Sequence, residues 1–256
     1  MRNWLSILLV CSACLTLYHK EALAFGVEPS RIELSIAGGK QKGATVTISN
    51  LRSPEPLHIR IYAQDIMFLP DGTNDYLPVG STDWSCSRWI KVVPEELDIP
   101  AGGTVNVRVS IAVPEEAKGG YYSMLFFETG GFSPEGLSIN FRIGALVDIS
   151  VLNTEVRQAK IENISFVKPD QFVVDVFNEG NVLVRPGGKI KILDARGKRI
   201  KQVSFNSSRV GVLPKTLRKF TVDLEQPLSR GKYTAKAEID YGTKYLLVGE
   251  LPIEVE

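Results

Sequence analysis

The side chains best suited to catalysis are few in this sequence. It contains two histidines, His19 and His58, and three cysteines, Cys11, Cys14 and Cys86. His58 lies in an alternating strand pattern, with neither a nucleophile elbow nor a zinc-type Cys/His cluster around it. A hydrolase would need a site that the sequence does not show, so we predict that the chain is not an enzyme. Cys86 is interpreted as a small buried apolar residue rather than as half of an intermolecular disulfide.

Metal and cofactor sites are not indicated either. Asp71, Asn74 and Asp75 lie together, but they lack the spacing and the terminal glutamate of a calcium loop. No phosphate-binding loop or dinucleotide fingerprint is present, and the paired glycines at 130–131 and 187–188 are typical of turns. We therefore expect no metal and no cofactor.

The first 24 residues have the anatomy of a secretory signal peptide. A short basic start containing Arg2 precedes the mostly apolar run 4–18, and Ala22-Leu23-Ala24 forms a small-x-small cleavage site before Phe25. A membrane anchor is the alternative, but the apolar run is shorter than the roughly 20 residues of a spanning helix. A lipoprotein signal at Cys14 lacks the usual upstream leucine. We expect residues 1–24 to be removed and the rest not to insert into a membrane.

The charge of the remaining chain is balanced. The full sequence has 30 Lys and Arg and 29 Asp and Glu, and removal of residues 1–24 takes away Arg2, Lys20 and Glu21, which leaves 28 of each. A surface with no net charge has no general attraction for nucleic acid or for anionic lipid. Nucleic acid is therefore excluded as the expected partner.

The pattern from Phe25 onward predicts strands almost throughout. Segments such as Ala44 to Ser49, Thr104 to Ile111 and Gln171 to Phe177 alternate apolar and polar residues, and Pro/Gly turns separate them. Many short alternating strands at this spacing are typical of antiparallel sandwiches. We predict an all-β fold of two immunoglobulin-like domains, residues 25–153 and 154–256.

One segment suggests a function. From Leu137 to Val151 every odd position is apolar. Fully extended, this run would span on the order of 50 Å, which is too long for one ordinary sandwich strand, so it would run along the first domain and pass into the hinge. Its odd face either fills the core of the first domain or adjoins an open groove. In the second case the strand edge would pair with an extended segment of another protein. The candidate contact residues are Leu137, Ile139, Phe141 and Ile143.

Five stretches in order resemble the PapD-like pilus-assembly chaperones. The first stretch has an Arg near the start of a strand, and the second ends in Ser-Asn. The third joins an aromatic-Pro segment to a Pro-Gly segment. The fourth is a long apolar strand, and the fifth is the alternating strand. They are residues 27–32, 44–50, 89–102, 121–128 and 137–143.

The resemblance implies a periplasmic chaperone that binds a secreted or pilus-type subunit by strand addition. It also implies that Arg31 is one of two basic residues holding the subunit's terminal carboxylate. The second, a lysine in the family, falls near Gly144, where this sequence has no base, and Arg142 is close but not equivalent. The alternative is a structural or adhesive envelope protein whose immunoglobulin-like domains pack on neighbours.

Overall fold

The computed structural model describes residues 25–130 and 140–256, so the predicted signal peptide and the candidate residues Leu137 and Ile139 lie outside it. The described residues are almost entirely β-structure, with one short 3₁₀ helix, Ser87–Trp89. None of their helices is long and apolar enough to span a bilayer.

Strands β1 to β10 come first in the chain, and they are Gly26–Glu28, Arg31–Ile36, Gln41–Ser49, Leu57–Phe68, Asn74–Leu77, Ile90–Val93, Glu96–Ile99, Thr104–Ala112, Gly120–Thr129 and Arg142–Val151. Strands β11 to β17 follow, and they are Ala159–Lys168, Gln171–Asn178, Gly187–Asp194, Arg199–Phe205, Leu217–Asp223, Gly231–Asp240 and Leu246–Val255.

The first ten strands form one sandwich. One sheet has the order β1-β3-β8-β6, and the other has the order β2-β10-β9-β4-β5, with β7 also paired to β4. All of these pairs are antiparallel except β2 with β10, which is parallel. Apolar side chains of both sheets, among them Ile48, Val107, Ile59 and Phe127, fill the space between them.

The last seven strands form a second sandwich. Its sheets have the orders β11-β12-β15 and β14-β13-β16-β17. Alternate residues of facing strands, such as Val174, Ile190 and Ala235, are completely buried between the sheets. The predicted fold class of two immunoglobulin-like β-sandwich domains is confirmed, because the period of two places one side of each strand in a core.

A buried asparagine has the same position in both sandwiches. Asn50, just after β3, donates from Nδ2 to the carbonyl oxygens of Glu55, Ile99 and Pro100 at 2.9, 3.3 and 3.2 Å. Asn178, at the end of β12, donates to the carbonyls of Val182 and Val212 at 2.8 and 2.9 Å. Each side chain therefore donates to main-chain carbonyls of two separate segments and ties these segments together.

Two strands of the structure differ from those expected from the sequence. The stretch 27–32, expected as one strand, is divided at Pro29 and Ser30: β1 pairs with β3 in one sheet, and β2 pairs with β10 in the other. Within the alternating run 137–151, the described residues 140 and 141 precede the strand, because β10 begins at Arg142. Phe141 donates its N–H to the Thr129 side-chain oxygen at 2.9 Å instead of to a main-chain carbonyl, and this ends the regular ladder.

The two sandwiches contact each other through the outer face of β9 and β10. The Leu183 N–H donates to the Tyr122 hydroxyl at 2.5 Å, and the Gly120 N–H donates to the Asn181 carbonyl at 2.7 Å. Leu183 and Leu213 of the second sandwich pack in one apolar cluster with residues of the first, namely Ile66, Tyr122, Met124, Phe126 and Leu146. This contact places the start of β10 beside the junction of the two sandwiches.

Candidate functional site

The start of β10 has a neighbouring strand on one side only. Along its whole length β10 pairs with β9, from Arg142 opposite Glu128 to Ser150 opposite Gly120. On the other side β2 begins only where Arg31 pairs with Leu146. Among the described residues, no strand pairs with that side of residues 142–145. We call this side the open edge.

Hydrogen bonds on either side of the open edge show which groups face it. The Leu146 N–H points toward β2 and donates to the Ser30 carbonyl at 3.0 Å, whereas the Phe141 carbonyl points toward β9 and accepts from the Thr129 N–H at 2.9 Å. Backbone groups of successive strand residues alternate in direction. The N–H and C=O groups of Arg142 and Gly144 therefore point out of the open edge.

The core side of this segment carries the predicted apolar residues. Ile143 is half-buried against the core of the first sandwich, and Ala145 and Val147 after it are fully buried. Phe141 stays 37% exposed. It lines a small apolar cavity of about 40 Å³ together with Phe25 and Leu57. The apolar face is thus enclosed from Ala145 onward and becomes accessible toward Phe141.

The face of the segment that points away from the core of the first sandwich, which we call the outer face, carries Arg142, Gly144 and Leu146. The Arg142 guanidinium lies 4.2 Å from the centre of the Phe126 ring, a cation–π contact, and its Nη1 donates to the Tyr62 hydroxyl at 3.4 Å. The Tyr62 hydroxyl in turn donates to Glu128 at 2.5 Å. These contacts hold the Arg142 side chain flat against its own sheet.

Arg31 lies at the end of the open edge, where β2 starts. Its side chain is 44% exposed on the outer face, and Nη1 is 3.2 Å from a Glu33 carboxylate oxygen. Gly144 is two residues before Leu146, the residue opposite Arg31, and it leaves this face without a second basic group at that position. The sequence-based expectation that Arg31 holds a carboxylate stays a prediction.

An ion-paired cluster fixes the outer face near Arg31 to the second sandwich. Arg185 donates from Nη2 to Asp148 at 2.7 Å and to Glu33 at 2.9 Å. Burial raises the pKa of the Asp148 carboxyl, although the hydrogen bond from Arg185 acts in the opposite direction. The cluster sets where the second sandwich lies relative to the open edge.

The surroundings of Cys86 and His58, the two residues considered for catalysis, show no catalytic arrangement among the described residues. Cys86 is fully buried, and burial raises the pKa of its thiol to about 12. A thiol at such a pKa is not a nucleophile at neutral pH, and its burial prevents pairing with another molecule. His58 is exposed on β4, with Nδ1 2.8 Å from Asp98 and Nε2 3.7 Å from Glu96. Over residues 25–130 and 140–256, no cluster of side chains suits a metal ion.

Sequence reasoning named only part of this site. Arg31, Phe141 and Ile143 all lie along or beside the open edge, but Arg142 and Gly144, which provide its hydrogen-bonding groups, were not proposed as contacts. The signal was present, because the even residues of an alternating strand direct their backbone groups opposite to the odd ones. What the sequence could not give was which of the two sides lacks a neighbour.

Comparisons with known proteins identify the fold. No protein-family model matches the sequence, and no curated protein matches it significantly. A crystal structure described as the class 5 fimbriae chaperone CfaA is 17% identical, with a TM-score of 0.51 over 90% of this chain and 100% of that one. A structure from work on a chaperone–tip adhesin complex in CFA/I fimbriae biogenesis is 16% identical, with a TM-score of 0.51 over 91% and 100%.

The chain has the fold of a fimbrial chaperone. This confirms the fold expected from the resemblance to PapD-like chaperones, two sandwiches joined in one chain. In this fold the open edge belongs to the first sandwich, at its junction with the second.

Proposed function

We propose that this protein is a periplasmic, non-catalytic chaperone that binds an extended segment of a secreted or pilus-type subunit by strand addition. The observation that carries the proposal is the open edge. There the main-chain groups of Arg142 and Gly144 point away from β9 and have no strand partner among the described residues. The fold supports it, and one structure of that fold comes from work on a chaperone–tip adhesin complex.

The added segment would continue the line of β2. Because β2 already occupies this lateral position from Arg31 onward, the segment would lie beside residues 142–145 and end near Arg31. Main-chain bonds to Arg142 and Gly144 would give affinity that is independent of sequence. Ile143 and Phe141 would contact its apolar side chains, and we propose the same role for Leu137 and Ile139.

Arg31 is proposed to bind the end of the segment. It is the basic residue at the point where an added strand must stop, and its 44% exposure leaves it accessible. Its pairing with Glu33 and the absence of a second base at Gly144 mean that it would act alone there. An Arg31→Ala change is therefore expected to weaken binding by about tenfold or less.

The cellular location and the domain limits belong to the same proposal. The apolar N-terminal segment and its small-residue cleavage site support export and removal of residues 1–24. The separate cores support one domain over 25–153 and a second over 154–256. Strand addition to a subunit that has not yet assembled would then take place in the periplasm.

Phe141→Asp tests this function, with Val93→Asp as the matched control. Phe141 is 37% exposed beside the open edge, and Val93 is 57% exposed on β6 of the opposite sheet, so neither change buries a charge in the core. Subunits that co-purify with the tagged protein from its native periplasm would be identified and co-expressed with each variant. We expect Phe141→Asp to lower the soluble yield of the subunit by about tenfold, because a charge replaces an apolar contact.

The Val93→Asp control shows whether a loss of soluble subunit is specific to Phe141. Val93→Asp should leave the subunit soluble. Equal subunit yields with Phe141→Asp, Val93→Asp and the wild type would contradict strand addition and leave a structural envelope role.

A further inference from the structure

Gly144 is a glycine in the middle of a strand at the open edge, and its missing side chain is used by its neighbours. A Cβ placed there would lie 2.7 Å from the Met124 sulfur and 3.1 Å from Phe126 Cε1. Phe126 is the residue directly opposite Gly144 on β9. The thioether and the ring therefore lean across β10 and reach toward its unpaired side.

An added strand would meet only the edges of these two groups, because Met124 is 8% and Phe126 3% exposed. Gly144 directs its N–H and C=O out of the open edge, so the residue that pairs with it has its side chain on the outer face. No side chain of β10 lies between that residue and the Met124 and Phe126 groups. Aromatic side chains are known to pack across strands over glycine in this way.

The charged side chains near Gly144 already have partners within the protein. Arg142 lies over Phe126 and donates to Tyr62, and Arg31 is paired with Glu33. Leu146, the next residue on this face, is 9% exposed and apolar. The surface opposite Gly144 is thus apolar and polarizable, which suits a ring or a long aliphatic chain better than a carboxylate.

We propose that Gly144 is a specificity-determining residue that selects a partner segment with an aromatic or large aliphatic side chain opposite it. This inference rests on the proposed strand addition and adds a requirement on the outer face, separate from the apolar contacts made by Ile143 and Phe141. It assigns the partner a large apolar residue near the end of its added strand, beside Arg31.

The experiment uses labelled peptides as probes. An eleven-residue peptide of alternating valine and threonine, flanked by lysines for solubility, carries phenylalanine, alanine or aspartate at one central threonine position. Binding to the purified protein is followed by fluorescence anisotropy. We expect the phenylalanine peptide to bind about three- to tenfold more tightly than the alanine peptide, and the aspartate peptide to bind most weakly.

Variants locate the preference. Gly144→Ala should reduce the phenylalanine-to-alanine ratio below about twofold. Gly249→Ala is the matched control, because a Cβ there lies 2.9 and 3.1 Å from two isoleucine methyl groups of the second sandwich, far from β10. It should keep the full ratio. Phe126→Leu, which does not add a Cβ to β10, should lower the ratio as well.

The outcomes separate this inference from the proposed function. Tightest binding by the aspartate peptide, or an unchanged ratio in both Gly144→Ala and Phe126→Leu, would overturn the selection at Gly144 and leave strand addition intact. Failure of all three peptides to bind the wild-type protein would contradict strand addition itself, and this inference with it.

Discussion

Asp65 is a completely buried carboxylate in the first sandwich, and hydroxyl groups surround it. It accepts hydrogen bonds from Ser85 Oγ at 2.5 Å, from Ser87 Oγ at 2.7 Å and from the Thr82 N–H at 3.0 Å. Burial acts to raise the pKa of Asp65, but these hydrogen bonds outweigh it and hold the pKa below its ordinary value. The carboxylate thereby fixes the loop that carries Trp84 to the interface between the sandwiches.

Asp65→Asn should destabilise the first sandwich by about 1–3 kcal/mol at pH 7, because an amide cannot accept all of these bonds. The pKa is lower in the folded state, so the contribution of the carboxylate is complete above the ordinary value of 3.8 and is lost as the pH falls through the folded value. Urea unfolding followed by the fluorescence of Trp84 and Trp89 measures this, since residues 154–256 contain no tryptophan. A variant as stable as the wild type at pH 7 would contradict this account of Asp65.

The turn between β4 and β5 contacts the second sandwich, which its sequence does not indicate. The residues Pro70-Asp71-Gly72 are typical of a turn, and the structure has one there. It also shows that this turn reaches the second sandwich, where the Lys219 N–H donates to the Pro70 carbonyl at 2.8 Å and Arg218 Nη2 donates to the Gly72 carbonyl at 3.3 Å. Periodicity describes each strand singly and holds no information on such contacts between domains.

Gly72→Ala tests the docking of this turn. Gly72 has a φ of +96°, and a Cβ there would lie 2.8 Å from Arg218 Nη2. Gly102→Ala is the control, because Gly102 also has a positive φ, +68°, but no atom within 4 Å of its added Cβ. Gly102→Ala should cost about 1–2 kcal/mol from backbone strain alone. Gly72→Ala should cost more and also raise the hydrogen exchange rate of the Lys219 amide, whereas equal costs with unchanged exchange would contradict the contact.

The strands themselves were largely predictable. Alternation placed β3, β8, β12 and β16, because each has one face in a core and one in solvent. It failed where a strand changes sheets, at Pro29 and Ser30, and where a side chain replaces the main chain as hydrogen-bond partner, at Phe141. Both are tertiary effects that a periodic pattern cannot report.

At the scale of the whole molecule, Arg185 connects the second sandwich to the outer face of the first. It is paired with Asp148, whose side chain is 10% exposed, and with the more exposed Glu33. Sequence reasoning predicted two domains but not this residue, because a lone arginine after a short apolar run carries no signal of its partner.

Arg185→Met should destabilise the protein by about 2–3 kcal/mol, because it leaves the buried Asp148 without its charge partner. Asp148→Asn should cost less, since Arg185 keeps Glu33 and no buried charge is left alone. The double variant should be more stable than the sum of the two single effects predicts. Additive effects in the urea unfolding of the four proteins would show that the pair is not coupled.

The open edge is the claim on which the proposed function depends, and residue-resolved hydrogen exchange of the free protein tests it most directly. We expect an alternating pattern along β10, with fast exchange at the Arg142 and Gly144 amides and slow exchange at Ile143, Ala145 and Leu146. The slow amides are those that face β9 or, for Leu146, donate to the Ser30 carbonyl. Slow exchange at Arg142 and Gly144 equal to that of Leu146 would mean that this side of β10 is already paired, and strand addition there would be ruled out.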